Sequence, residues 1–130
     1  MAGIGGIGLS AIARVLAMRG HVVTGSDLRA SEITEGLNSL GIETYVGHAA
    51  AQIDDAELLI VSSAVPESNL EIQAAQGKGI PVLKRQRLLP SLLAGYKGIA
   101  IAGTHGKTTT SSMISVILER LGAAPTFIVG

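Results

Sequence analysis

Cysteine and tryptophan are both absent from the 130 residues, and aromatic residues make up only 2% of them. The lack of cysteine removes disulfides, thiolate nucleophiles and cysteine-ligated metals, and is compatible with a reducing compartment. With so few aromatics, the hydrophobic share of 47% is carried by Ala, Ile, Leu and Val. That is the usual filling of helix-covered parallel sheets, and it argues against disorder. Ten basic and ten acidic side chains cancel. No basic run interleaved with aromatics occurs, so the footprint of a nucleic-acid binder is missing. Long apolar runs are missing too: Leu58 to Val61 and Ile99 to Ala102 fall far short of the roughly 18 to 20 residues that span a bilayer. The opening segment, Gly3 to Gly8, lacks the charged start and continuous apolar stretch of a signal peptide. A cytoplasmic protein with no membrane span and no nucleic-acid partner is therefore expected.

What is present alternates between helical and strand patterns. Apolar positions from Ile7 to Met18 recur at helical spacing behind a run of glycines, and Arg19-Gly20 supplies a stop. His21 to Thr24 reads as a short buried strand, with Gly25, Ser26 and Asp27 as the turn that leaves it. A helix from about Ser31 to Leu40, ended by Gly41, leads to a strand over Ile42 to Val46. Glu57 to Val61 fits a parallel strand that ends at Ser62 and Ser63. Asn69 to Gln76 is helical in composition, Ile80 to Leu83 gives another strand, and Arg85 to Ala94 another helix, with Pro90 kinking it or near an end. Tyr96-Lys97-Gly98 is the best boundary. Beyond it, Gly98 to Ala102 reads as a strand, Gly103 to Gly106 as a glycine-rich loop, Lys107 to Leu121 as a helix, and Thr126 to Val129 as a further strand.

The order strand, glycine loop, Lys-Thr, helix suits phosphate. Backbone N–H groups at such a turn converge on one place, and the helix dipole adds about half a positive charge there. Lys107 supplies a mobile cation, and the Thr108 hydroxyl suits Mg2+. The common pattern has a glycine five residues before the Gly-Lys pair, where this chain has Ile101. The shorter form, Gly103-Thr104-His105-Gly106-Lys107-Thr108-Thr109 behind Ile99 to Ala102, resembles the ATP-binding signature of the Mur ligases and related folylpolyglutamate synthetases. His105 narrows the likeness to Mur ligases acting on muramic acid carboxylates, including the murein tripeptide ligase that recycles wall peptides.

Gly3, Gly5, Gly6 and Gly8 satisfy the dinucleotide-type glycine pattern, with Asp27 about 20 residues on. Alone this motif is weak, and it leaves an NAD(P)-dependent Rossmann enzyme open. The same stretch, continued by Ser10 to Ala13, by Gly25-Ser26-Asp27, by Gly47-His48 and by Val61 to Val65, is similar to the amino-terminal domain of Mur ligases that add L-alanine. Leu9 stands where that pattern has methionine, and Gln52 where it often has asparagine. The resemblance implies that Gly3, Gly5, Gly6, Gly8, Ser26, Asp27, His48, Ser62 and Ser63 hold the UDP portion of UDP-N-acetylmuramate. Glycine amides suit a diphosphate, Asp27 suits a ribose hydroxyl, and Ser62 and Ser63 lie at a strand's carboxyl end. Each also has a plain structural reading: Asp27 as a cap, the serines as strand-end hydrogen bonders, His48 as a loop residue.

The fold class expected is α/β: a Rossmann-like parallel sheet over residues 1–96, then the beginning of a P-loop ATPase α/β domain over residues 97–130. Only Met1 and Ala2 precede the first glycine turn, so the first strand reads as missing and the sheet as divided, with poor stability in consequence. The family implies a ligase using ATP and Mg2+ to activate the carboxylate of UDP-N-acetylmuramate as an acyl phosphate, which L-alanine attacks. Lys107 would be catalytic, Gly103 to Thr109 would bind ATP, and Thr108 would meet the metal. The family's remaining ligase domains, in cis or trans, are expected for activity, and the chain alone is expected to be inactive. A non-catalytic nucleotide-sugar or ATP-binding module stays open as a different class of answer.

Overall fold

The computed structural model describes residues 1–128. In chain order the elements are α1 (Ile7–Met18), β1 (Thr24–Asp27), α2 (Glu32–Ser39), β2 (Glu43–Val46), a 3-10 turn (Ala50–Ile53), β3 (Leu59–Val61), α3 (Leu70–Gly77), β4 (Val82–Lys84), α4 (Arg85–Leu93) and α5 (Lys107–Arg120). β1 pairs with β2, and β3 with β4, both in parallel. This is the α/β class expected, with small parallel sheets.

The two pairs are joined at a single residue. Ala2 makes parallel bridges to Ser26 on one side and to Val61 on the other. Toward β1, Ser26 N–H donates to the Met1 carbonyl at 2.8 Å and Gly3 N–H to the Ser26 carbonyl at 2.8 Å. Toward β3, Ala2 N–H donates to the Ile60 carbonyl at 2.9 Å and Ser62 N–H to the Ala2 carbonyl at 3.0 Å. The Met1 ammonium donates to the Thr24 carbonyl at 2.7 Å. Burial holds its pKa below the ordinary α-amino value, and the Glu71 carboxylate partly offsets that shift. The expectation of a divided sheet is thus corrected: three residues suffice as the middle strand, because each of Met1, Ala2 and Gly3 offers its backbone to a neighbour.

Side chains alternate across this sheet. Ala2, Leu59 and Val61 face Ile53, Ile72 and Ala75 on one side. Ile60 faces the other side, with Leu9, Ile12 and Val15 of α1 and Leu88 and Leu92 of α4. A third cluster joins Ile4 and Ala13 to Leu37 of α2 and to Ile42. The helices therefore cover both faces, the arrangement of a doubly wound domain.

Three expectations fail in position. The strand expected over His21 to Thr24 lies at Thr24–Asp27, where Gly25 and Ser26 are buried and Val22 is 98% exposed. Pairing with Met1 and Ala2 outweighs the apolar content of the valines, and the bare Cα of Gly25 leaves room for Ile4. Gly98 to Ala102 is irregular and largely exposed, because no described segment lies beside it as a ladder partner. Thr126 to Ile128 is irregular as well, and Val129 of that expected strand lies outside the described residues. Pro90 sits inside α4, which continues to Leu93.

A Cβ at Gly25 would stand 2.8 Å from Ile4 Cβ and 2.9 Å from the Met1 carbonyl oxygen. Gly25→Ala is expected to destabilise the chain by about 1–3 kcal/mol through overpacking at the seam, read as a lower urea midpoint with an unchanged slope.

Candidate functional site

Gly3, Asp27 and Ser62 lie at the carboxyl ends of the Ala2 segment, β1 and β3, so the chain brings them to one edge of the sheet. Ligands of open α/β sheets bind in the crevice outside this edge, where strand order reverses. Gly3 has φ 81°, and a Cβ there would meet Ser62 Cβ at 2.8 Å, so the turn needs glycine on both counts. Gly5 N–H donates to Asp27 Oδ2 at 2.8 Å. Asp27 therefore ties the glycine turn to β1 and still has Oδ1 for a ligand hydroxyl. A Cβ at Gly8 would run into the Arg85 guanidinium, which places this cation beside the first turn of α1.

The helix starts differ in a way that bears on charge. α2 is capped by Ser31, with Glu32 and Glu35 in its first turn, and α3 by Asn69, with Glu71. α1 and α5 begin on Gly6 and Gly106, with no side-chain cap and no acid in the first turn. Their leading N–H groups have no intrahelical acceptor, and the positive end of each dipole has no carboxylate beside it. α4 likewise lacks a side-chain cap and a first-turn acid, and it opens on Lys84 and Arg85. Its start also suits an anion, but α1 and α5 are the helices among the described residues that pair such a start with a glycine turn.

At α5, Gly106 takes the left-handed conformation, φ 77°, that turns the loop into the helix. Lys107 Nζ donates back to the carbonyls of Gly103 at 2.6 Å and Thr104 at 3.3 Å. The lysine lies across its own loop and must release those carbonyls to meet a phosphate. Gly103, Thr104, His105, Thr108 and Thr109 are exposed. Thr108 offers one oxygen for Mg2+, and no group of three or more His, Asp or Glu suited to a metal occurs among the described residues. That donor set fits an ion held chiefly by nucleotide phosphates and water.

The remaining expected residues separate. Ser62 Oγ accepts from Ala64 N–H at 3.4 Å, and Ser63 is exposed beside it. Ser26 is 1% exposed, and its Oγ lies 2.8 Å from His48 Nδ1, away from open solvent. The same nitrogen is 3.3 Å from Oε1 of Glu71, which sequence reasoning missed. Glu71 and Ala75 are four apart on α3 and both buried, so the helix carries this acid on its inner face, a placement that the folded structure reveals. Arg85 was missed because a cation opening a helix reads as surface.

The fold and this edge define a doubly wound α/β domain with a glycine turn where its strand order reverses, followed by a second glycine loop opening a long helix. Residues 1–97 match the family described as "Mur ligase family, catalytic domain". The chain is 52% identical over 130 residues to the UDP-N-acetylmuramate--L-alanine ligase of Rubrobacter xylanophilus, covering all of this chain and 29% of that protein. It is 52% identical over 128 residues to the protein of the same name from Geobacter sp., covering 98% and 28%. Among solved structures, the Thermotoga maritima UDP-N-acetylmuramate-alanine ligase superposes with TM-score 0.89 at 36% identity, over 93% of this chain and 29% of that one. The Neisseria UDP-N-acetylmuramate:L-alanyl-gamma-D-glutamyl-meso-diaminopimelate ligase gives 0.85 at 33% identity, over 95% and 40%. This chain belongs to the Mur ligase family. It spans less than a third of the length of the L-alanine ligases it matches. Among the described residues no helix is long and apolar enough to cross a membrane.

Asp27→Ala removes the acceptor of the Gly5 amide. A loss of about 1.5–3 kcal/mol in folding stability is expected, the range for a hydrogen bond to a charged group, measured by urea denaturation.

Proposed function

We propose that this chain is the nucleotide-sugar-binding part and the start of the ATP-binding part of a ligase that adds L-alanine to UDP-N-acetylmuramate in peptidoglycan synthesis. The observation that carries the reading is the pair of uncapped, acid-free helix starts behind glycine turns, at α1 and α5. The proteins it matches at 52% identity are named L-alanine ligases, and among solved structures the L-alanine ligase superposes at TM-score 0.89 and 36% identity, against 0.85 and 33% for the tripeptide ligase; both favour this substrate over the tripeptide. We place the division near residue 96, and the family match ending at residue 97 supports it. The cytoplasm, where ATP and nucleotide sugars occur, is the compartment that follows.

In this reading the Gly8 amide in the first turn of α1 faces the diphosphate, while the Gly5 amide, held by Asp27, and the Gly6 amide, held by the Gly3 carbonyl, shape the turn around it; Asp27 Oδ1 accepts from the ribose, and Ser62 and Ser63 close the strand-end side. ATP lies on the loop Gly103 to Thr109. Its terminal phosphoryl group passes to the lactyl carboxylate of the sugar, and the L-alanine amine attacks the resulting acyl phosphate, forming the amide and releasing phosphate. Lys107, freed from the carbonyls of Gly103 and Thr104, offsets the charge that builds on the transferring group. Thr108 supplies one oxygen to Mg2+, which neutralises phosphate charge when bound.

Calorimetric titration of the chain separates the two sites. UDP-N-acetylmuramate and magnesium-ATP are each expected to bind, and Lys107→Ala to abolish the ATP heat while leaving that of the UDP-sugar unchanged. A dehydrogenase would instead bind NAD or NADP at the amino-terminal turn. Failure of the UDP-sugar to bind, with a dinucleotide binding in its place, would sink the ligase reading.

A further inference from the structure

Glu71 has no task in the reading above, although it is 1% exposed and one of the largest wholly buried side chains. Its Oε1 lies 3.3 Å from His48 Nδ1, and Ser26 Oγ lies 2.8 Å from the same nitrogen. The Met1 ammonium is the other charged group that acts on Glu71. An ionised carboxylate can only accept. A lone pair on Nδ1 would therefore face the carboxylate oxygen across hydrogen-bond distance in a dry interior, where such opposition is costly. A proton on Nδ1 removes the conflict: Nδ1–H donates to Glu71, and Ser26 Oγ accepts a share of it. In the neutral ring this leaves Nε2 as an acceptor on the edge turned away from Glu71. The His48 side chain is 12% exposed, so that edge reaches the surface. Gly47 N–H donates to the Asp27 carbonyl at 2.7 Å, which ties the preceding residue to the end of β1, at the edge where the candidate site lies.

We propose that Glu71 is a positioning residue that fixes His48 as its Nδ1–H tautomer, and that His48 Nε2 accepts a hydrogen bond from the nucleoside part of the ligand rather than meeting its phosphates. The donor is a ribose hydroxyl or the base imide N–H. The ligand half of this inference rests on the UDP-sugar reading, whereas the tautomer is measurable with no ligand present.

The test begins with long-range proton–nitrogen correlation spectra of the chain labelled in its histidine rings, with His48 assigned by loss of its signals in His48→Ala. His48 is expected to carry its proton on Nδ1, and Glu71→Gln, whose amide can also donate, to admit the Nε2–H form. A wild-type His48 protonated on Nε2 alone overturns the proposal. Titrations with UDP and with inorganic pyrophosphate follow. His48→Ala is expected to weaken UDP about tenfold, the scale of one neutral hydrogen bond, and to leave pyrophosphate unchanged. Equal weakening of both ligands, or of neither, overturns the nucleoside contact. With 3-methyl-UDP, loss of the His48 dependence assigns the imide as donor, and its persistence assigns the ribose. If wild type keeps Nδ1–H but binds no UDP, the UDP-sugar reading fails and the nucleoside contact with it, while the tautomer assignment stands.

Discussion

Among the described residues, the backbone of Met1 to Gly3 is the one ladder that holds β1 and β3 in register, and the rest of the fold depends on it. Ala2 bridges both Ser26 and Val61. Its methyl group is wholly buried among Ile53, Leu59, Val61, Ile72 and Ala75, on the side covered by α3. A larger side chain would separate α3 from the sheet, and a polar one would be buried without a partner. The same seam aims the glycine turn, because Gly3 leaves Ala2 directly between the ends of β1 and β3. Fold and candidate site are thus set by the same few hydrogen bonds.

The two glycine turns share a chemistry but not a setting. The first is braced by Asp27, Ser62 and the packing of α1 against three neighbouring elements, so its amides are held in place before any ligand arrives. The second lies on the surface, with its lysine turned onto its own carbonyls and a helix whose buried set among the described residues is Ser115 alone. The first site is therefore preorganised in this chain and the second is not, a difference of the kind that alters the ordering cost of binding.

Most of the helices were legible in the sequence because their caps are written in it: Ser31 opens α2, Asn69 opens α3, and Gly6 and Gly106 open the helices after the turns. Strands were less so. His21 to Val23 have the apolar look of a strand, yet the strand begins at Thr24, since its place is decided by partners far along the chain rather than by local composition. The same logic hid the role of Met1 and Ala2, two residues too few to show any period. It also explains why Gly98 to Ala102, apolar and well bounded, forms no strand here: a ladder needs a neighbour. In the site, Asp27 and the glycines were readable from spacing. The partnership of Ser26, His48 and Glu71 was not, because it joins three segments that only the folded sheet brings together.

The central segment also bears on how the domain acquires its structure. Its nearer partner, β1, follows α1, but its second partner, β3, comes only after α2, β2 and the 3-10 turn. Half of the seam can form from local neighbours, and the other half waits on closure of a much longer loop. The crevice between β1 and β3 therefore rests on the contact with the larger loop-closure cost, and it is lost whenever β3 parts from Ala2.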